Sequence, residues 1–402
     1  MPPVKRETGI DRRLANHHCE GMWERVARLG PGCLAVGLLA LALAACSPPR
    51  AVESLSVLSD LADGTGTQEV RRVPRDFAVD GRRYSADLYL GPEPARAMLV
   101  LLPGVTPEGK DDPRLVPFAA GLAKAGFAVL VPDIPSFRAL RVSAADAAAV
   151  RDVAAYASGT FVDDADGGVA LAGISYAAGP AVLALLDAPT RRRVGLLAAI
   201  GGYHDTRAVV TFFTTGAYRG DDEDWRFGTP NAWGKWIFAR ANLDRIEDPR
   251  DRGLIGVIAE RKLGDEEADI ADLEAGLGPE GRAVLALLQN RDPDRVPALI
   301  EALPLAVKAD LRALNLAEKD LASLSVPVLL LHGRDDPVIP ATESMALAAA
   351  LPPGTARLYI VDNFAHVEVR ELGGRDAVTL WRAVYRLLEL RDALPIPSLP
   401  PI

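Results

Sequence analysis

Cysteine, histidine and clustered basic residues are scarce in this chain, and each shortage removes a class of function. The only cysteines are Cys19, Cys33 and Cys46, so nothing after Cys46 can carry a disulfide framework or a cysteine metal site. The five histidines, at 17, 18, 204, 332 and 366, have no companion ligands at metal-site spacing, so no metal and no cofactor is expected. Lys and Arg are dispersed, the formal net charge is −9, and no basic run is interleaved with aromatics, which leaves a nucleic-acid role without support. No apolar run reaches the roughly 20 residues that a membrane-spanning helix needs. No internal repeat or long low-complexity tract stands out.

What is present begins with a leader. Leu34 to Ala45 is an uninterrupted apolar run behind Arg25 and Arg28, with the length and flanks of a signal peptide. Its end, Leu43-Ala44-Ala45-Cys46, resembles the lipobox of bacterial lipoproteins, which implies cleavage before Cys46 and a lipid on its sulfur. The 21 residues before Met22 are polar and mixed in charge, so translation is expected to begin at Met22. The same resemblance implies a lipid-anchored protein of the cell envelope, and Ser47 after the cysteine implies the outer membrane if the source is Gram-negative. Residues 1–45 are thus read as signal, and 46–68 as a lipidated tether with a short helix near Val52 to Leu61. The chain closes on a Pro-rich tail, 393–402.

The body can bury a large core, with 49% hydrophobic residues in 402, and is long enough for one core with an insertion. Alternation in Phe77 and Val79, then Asp80-Gly81, then Tyr84, Ala86, Leu88 and Leu90 predicts a hairpin. Met98–Leu102 is a continuous apolar run, as expected of a strand buried on both faces, and Phe127–Val131 reads as a second, with further strands at Val169–Ala172, Val194–Ile200, Val326–Leu331 and Ala356–Val361. Helical spacing lies between them, with Asp112-Pro113 as one start and Ser143 with Asp146 as a capping box for another. Such alternation implies a mostly parallel sheet covered by helices on both faces.

In such a sheet, ligands gather at the carboxyl ends of the strands. There Gly173-Ile174-Ser175-Tyr176-Ala177 joins an apolar strand to an alanine-rich helix, with small residues two places either side of the serine. That is the pattern of a nucleophile elbow, with alanine in place of the usual second glycine. If residues 1–45 leave, a base for Ser175 must be His204, His332 or His366. The segment His332-Gly333-Arg334-Asp335-Asp336-Pro337-Val338-Ile339-Pro340 resembles the acid loop of the α/β-hydrolases, with Asp336 three after the glycine and Pro340 four further on. His366 follows the strand Ala356–Val361 by a short loop, where that family carries its base. The chain order Ser175, Asp336, His366 is the family's order. The resemblance implies an oxyanion hole of two backbone N–H groups, from Tyr176 and from Val105 in Pro103-Gly104-Val105-Thr106, where the family's usual histidine is missing. Asp335 reads as solvated or helix-capping, and His204 as a structural or rim residue.

The resemblance covers roughly 95–204 and 326–392, within core segments 69–204 and 326–392. Between them, 205–325 reads as a helical cap, with helical spacing at Leu254–Leu263, Ala283–Leu288 and Val296–Leu314. Nine aromatics fall between Tyr203 and Phe238, serving as a lid's apolar inner face or as the cap's own core. Asp221-Asp222-Glu223-Asp224 reads as a solvated turn. The expected protein has an α/β-hydrolase fold with an inserted cap, and is a lipid-anchored serine hydrolase. It cleaves an ester or similar acyl substrate with an apolar part, through Ser175, His366 and Asp336. Peptidase and acyltransferase chemistry share the triad, and a non-catalytic binding lipoprotein is the alternative of another class. A serine at the elbow argues against dehalogenase and epoxide-hydrolase chemistry, which use an aspartate there. Substrate identity and oligomeric state are not legible.

Overall fold

Aliphatic runs of six or seven residues have no polar side to turn to water, so they assemble as interior strands. A computed structural model describes residues 47–63, 69–162, 168–220, 223–362, 364–365, 368–369 and 373–399. Cys46 and the leader, His366, Asp221 and Asp222 lie outside the described residues. The sheet comprises β1 (Arg71–Val79), β2 (Arg82–Leu90), β3 (Ala97–Leu102), β4 (Phe127–Asp133), β5 (Val169–Ile174), β6 (Val194–Ile200), β7 (Val328–Gly333) and β8 (Ala356–Val361). Its order is β1-β2-β4-β3-β5-β6-β7-β8. β2 runs antiparallel to β1 and β4, and every other pairing is parallel. The β1–β2 hairpin turns at Asp80 and Gly81, both at positive φ, as the Asp-Gly signal requires.

Because side chains alternate along a strand, each interior strand feeds two apolar layers. Met98, Val100 and Leu102 of β3 enter one, with Val150 and Val153 of α3 (Asp146–Phe161), Ala181 and Leu185 of α4 (Ala178–Leu186), and Leu347 of α11 (Thr342–Ala350). Leu99 and Leu101 enter the other, with Leu115 and Leu122 of α2 (Leu115–Lys124) and Leu388 of α12 (Gly374–Arg391). The chain passes from β3 to β4 on one side, then crosses β3 to reach β5 on the other. The order reverses between β3 and β5, and in sheets of this kind ligands gather outside the carboxyl ends of the strands at such a point.

Residues 47–63 contain the helix expected near Val52 to Leu61, but it is longer and docked on the core where a free tether was expected. Pro48–Asp63 is a sixteen-residue helix, α1, packed against α12 and α2. Ala51 is fully buried and its carbonyl accepts from the Trp381 indole N–H at 3.3 Å. The Arg391 guanidinium, with no exposed surface, is held by Glu53 of α1 at 2.6 Å and by Asp392 at 2.7 Å.

Between β6 and β7 lie α5 (Thr206–Thr215), a short hairpin of Ala217–Arg219 with Trp225–Phe227, and α6 (Gly234–Ala241) to α10. The others are α7 (Pro249–Gly264), α8 (Pro279–Gln289), α9 (Val296–Ala302) and α10 (Leu305–Leu314). The helical spacing over Val296–Leu314 resolves into two helices. Pro304 has no N–H to continue α9 and instead caps α10. Trp236, Ile255, Ile258, Leu285 and Leu288 form a separate apolar core for this insertion.

The docked helix gives a direct expectation. Deleting residues 47–68 should lower the thermal unfolding midpoint clearly, since uncovering each large apolar side chain that α1 shields costs on the order of 1.5–3 kcal/mol. An unchanged midpoint would mean that the segment is the tether its composition resembles.

Candidate active site

The closeness of β5 to the helical turn after it sets the geometry at Ser175. A Cβ on Gly173 would fall 2.8 Å from the backbone nitrogen and Cα of Ala178, so only glycine fits. To turn that sharply the chain places Ser175 at φ +56°, in the left-handed region that L-residues avoid. A tight turn, Ser175–Ala177, then feeds α4. Such strain costs on the order of 1–3 kcal/mol and persists only where the surroundings enforce it. Ser175 is half-buried, and its neighbour is the loop after β3, where a Cβ on Gly104 would stand 3.8 Å from the Ser175 Cβ. Thus Gly104 lies against Ile174 and Ser175.

Asp336 follows β7 and is buried, at 3% exposure, whereas Asp335 beside it is exposed. Its Oδ1 accepts the backbone N–H groups of Val338 at 2.7 Å and Ile339 at 3.0 Å, which fixes the carboxylate. His332 is a strut of this loop. Its ring is fully buried, with Nε2 2.9 Å from the Ile339 carbonyl and Nδ1 2.6 Å from the Ser344 hydroxyl. A carbonyl only accepts, so Nε2 carries a proton, and both nitrogens are committed. His204 is also held by its backbone, for its carbonyl accepts from Leu316 and Ala317 N–H, and burial lowers its imidazole pKa. Of the three histidines considered from sequence, two therefore have structural duties. His366 lies outside the described residues, but the chain reaching it is fixed at Phe364. A Cβ on Gly333 would fall 1.5 Å from the Phe364 carbonyl oxygen, so Phe364 lies directly on the end of β7.

Two buried carboxyls at the site were not legible as site residues. Asp146, expected only as a capping partner, accepts the Ser143 N–H at 3.0 Å as that reading requires, and also the Tyr176 hydroxyl at 2.7 Å. Glu343 on α11 had no signal at all. Its Oε2 accepts the backbone N–H groups of His204 at 2.9 Å and Asp205 at 2.7 Å, pinning the loop after β6. Burial pushes the Glu343 carboxyl up to about 7, more than the two N–H donors hold it down.

The insertion is bonded to the loop after β7. The Asn231 N–H donates to the Pro337 carbonyl at 2.9 Å, one residue from Asp336. Most of the clustered aromatics serve the insertion itself. Phe212 meets Tyr218 and Phe213 meets Phe238 edge to face, Trp236 is in its core, and Trp225 stacks beneath Arg219. Phe227 and Trp233, either side of Asn231, are exposed. Glu223 and Asp224 are exposed too, as a solvated turn would be.

Strand order, crossover position and the strained serine together define an α/β-hydrolase fold. Residues 302–372, which include Asp336 and His366 but not Ser175, match the model of the serine aminopeptidase S33 family. A putative lipase from Acinetobacter baumannii is similar in structure, at 15% identity over 83% of this chain and 96% of that one, with a TM-score of 0.44. So are a serine hydrolase from the polyaromatic-hydrocarbon-degrading Cycloclasticus zankles (15%, 79% and 98%, 0.41) and a puromycin-hydrolyzing peptidase from Mycobacterium tuberculosis (17%, 79% and 38%, 0.41). No curated protein sequence matches the chain.

Glu343 gives the site a pH signature. Its carboxyl holds a proton in the folded state up to about 7 that the unfolded chain releases near 4.5, so stability falls as pH rises between those values. Glu343→Gln should remove that part of the slope, worth up to about 3 kcal/mol between pH 4.5 and 7. Melting curves across this range check it, and an identical slope in the variant would contradict the assignment.

Proposed function

We propose that this chain is a serine hydrolase acting on an ester or similar acyl substrate with an apolar part. The observation that carries the reading is Ser175 at φ +56°, forced out of the backbone at the end of β5 by the glycine-only contact of Gly173 with Ala178. Such a turn exposes the hydroxyl while the following helix brings backbone N–H groups beneath it.

In this reading the Ser175 Oγ attacks the acyl carbon as His366 takes its proton, and the carbonyl electron pair moves onto oxygen. The Tyr176 and Val105 N–H groups donate to that oxyanion. The intermediate collapses, the bond to the leaving group breaks, and His366 returns the proton to it. Water, deprotonated by His366, then attacks the acyl-enzyme and frees the acid and Ser175. Asp336, fixed by the Val338 and Ile339 N–H groups, orients the imidazole and stabilises its cation. No cofactor enters this scheme. The apolar part of the substrate lies toward Phe227 and Trp233, whose loop is bonded to Pro337. The match to the serine aminopeptidase family favours one second reading, in which the acyl group is an aminoacyl group and the leaving group an amine. The lipobox reading adds a lipid on Cys46 and a place in the cell envelope.

A fluorophosphonate probe should label the wild-type protein at Ser175 and leave Ser175→Ala unlabelled, while His366→Ala should lower turnover of short acyl esters by about a thousandfold or more. Equal labelling of wild type and Ser175→Ala, or none of either, would overturn the nucleophile assignment. Turnover of aminoacyl amides well above that of acyl esters would select the second reading. With the full chain expressed in bacteria, Cys46→Ser should release the protein from the membrane fraction with esterase activity intact, and unchanged fractionation would refute the anchor.

A further inference from the structure

The residue after the nucleophile is a tyrosine whose side chain is held as firmly as its backbone. Tyr176 is 9% exposed. Its hydroxyl donates to Asp146 Oδ2 at 2.7 Å and accepts the Ser143 N–H at 3.0 Å. The ring meets Phe137 edge to face and lies parallel to Tyr203. Asp146 is itself 3% exposed. It receives the Ser136 hydroxyl on Oδ1 at 2.6 Å and the Ser143 N–H on Oδ2, and it forms no ion pair with a cation among the described residues. Burial raises its carboxyl above the usual range, and the nearby Asp310 carboxylate adds to this. An acid buried without a countercharge is costly to keep, so packing alone is a poor account of it. Its hydrogen bonds join the loop carrying Ser136 and Ser143 to Tyr176, the residue after Ser175.

That loop is gripped from the insertion as well. Ala144 N–H donates to Asp310 of α10 at 3.2 Å, Val142 N–H to the Asn242 side chain at 3.4 Å, and Arg141 pairs with Asp244. Leu140, where this loop begins, is at φ +56°.

We propose that the Tyr176–Asp146 hydrogen bond is a positioning device, which sets the Tyr176 backbone N–H in the oxyanion site and ties that setting to the loop on which the insertion is seated. This rests on the acyl-transfer reading above, in which the Tyr176 amide is an oxyanion donor. Neither side chain touches substrate in this account, so both are positioning residues. The ground-state ester gains little from a well-placed amide and the tetrahedral oxyanion gains much, so loosening the pair lowers kcat and leaves KM nearly unchanged.

The test uses the whole chain and short acyl esters. Tyr176→Phe keeps the ring contacts and removes the hydroxyl, and should lower kcat by about 10- to 100-fold, with KM within about threefold, because a misplacement well under 1 Å at such a donor is felt at this level. Asp146→Asn keeps an acceptor of the same shape and should retain more activity than Asp146→Ala. The kcat effects of Tyr176→Phe and Asp146→Asn should be clearly less than additive in the double variant, as expected of one device. A purely structural pair would lower the melting midpoint and the active fraction, so each rate is normalised to sites titrated with fluorophosphonate. An unchanged normalised kcat in Tyr176→Phe, or full additivity, would overturn the proposal while wild-type labelling and turnover left the serine-hydrolase reading standing. Failure of wild type to react with probe or ester would instead remove that reading and the proposal with it. If Tyr176→Phe does not fold, the order of Asp146→Asn above Asp146→Ala in normalised kcat decides the matter, and equality of the two counts against it.

Discussion

The contact between Gly173 and Ala178 is the constraint on which the rest of the site depends. It leaves no room for a side chain, so β5 and α4 close to a separation that forces the residue between them into left-handed backbone. The strain is stored at one serine and is held there by apolar layers on both faces of the sheet, which fix strand and helix independently. The β3 loop stands beside it at Gly104, the loop after β7 holds the buried Asp336, and Gly333 admits the Phe364 backbone at the end of that strand.

At these strand ends the polar groups form a scaffold of buried acceptors. Asp336 takes two backbone N–H groups of its own loop, Glu343 takes two from the loop after β6, and Asp146 takes one backbone N–H and two hydroxyls below the elbow. Each turns a loop at a strand end into a rigid edge, which loops without such acceptors are not. The helical insertion is bonded to these edges at Pro337, at His204 and at the segment from Val142 to Ala144. Its seat and the turn at Ser175 thus share parts.

Much of this was written in the sequence because interior strands leave a plain trace. Val194–Ile200 has its expected bounds because both faces of an interior strand demand apolar residues, and Ala356–Val361 keeps its bounds as the edge strand although Arg357 is exposed. The elbow was legible for a similar reason, as close approach demands glycine. Long-range partnerships left no trace. Helix α1 resembled a tether because its apolar face is short and set among Ser, Pro and Asp, and its order depends on Trp381 and Arg391 more than 320 residues away. Glu343 looked like an ordinary helix-surface acid, and Asp146 showed its capping role but not its bond to Tyr176. The break at Pro304 was available in the sequence, and the helical spacing on either side masked it.

The central claim is that Ser175 carries the acyl group. Mixing the protein with a short acyl ester, quenching in acid within the first turnover and mapping the digest by mass spectrometry tests this most directly. The account predicts one acyl adduct, on the peptide containing Ser175 and localised to that residue, rising and falling with turnover. Turnover with Ser175 unmodified throughout, or with the acyl group on another side chain, would contradict it.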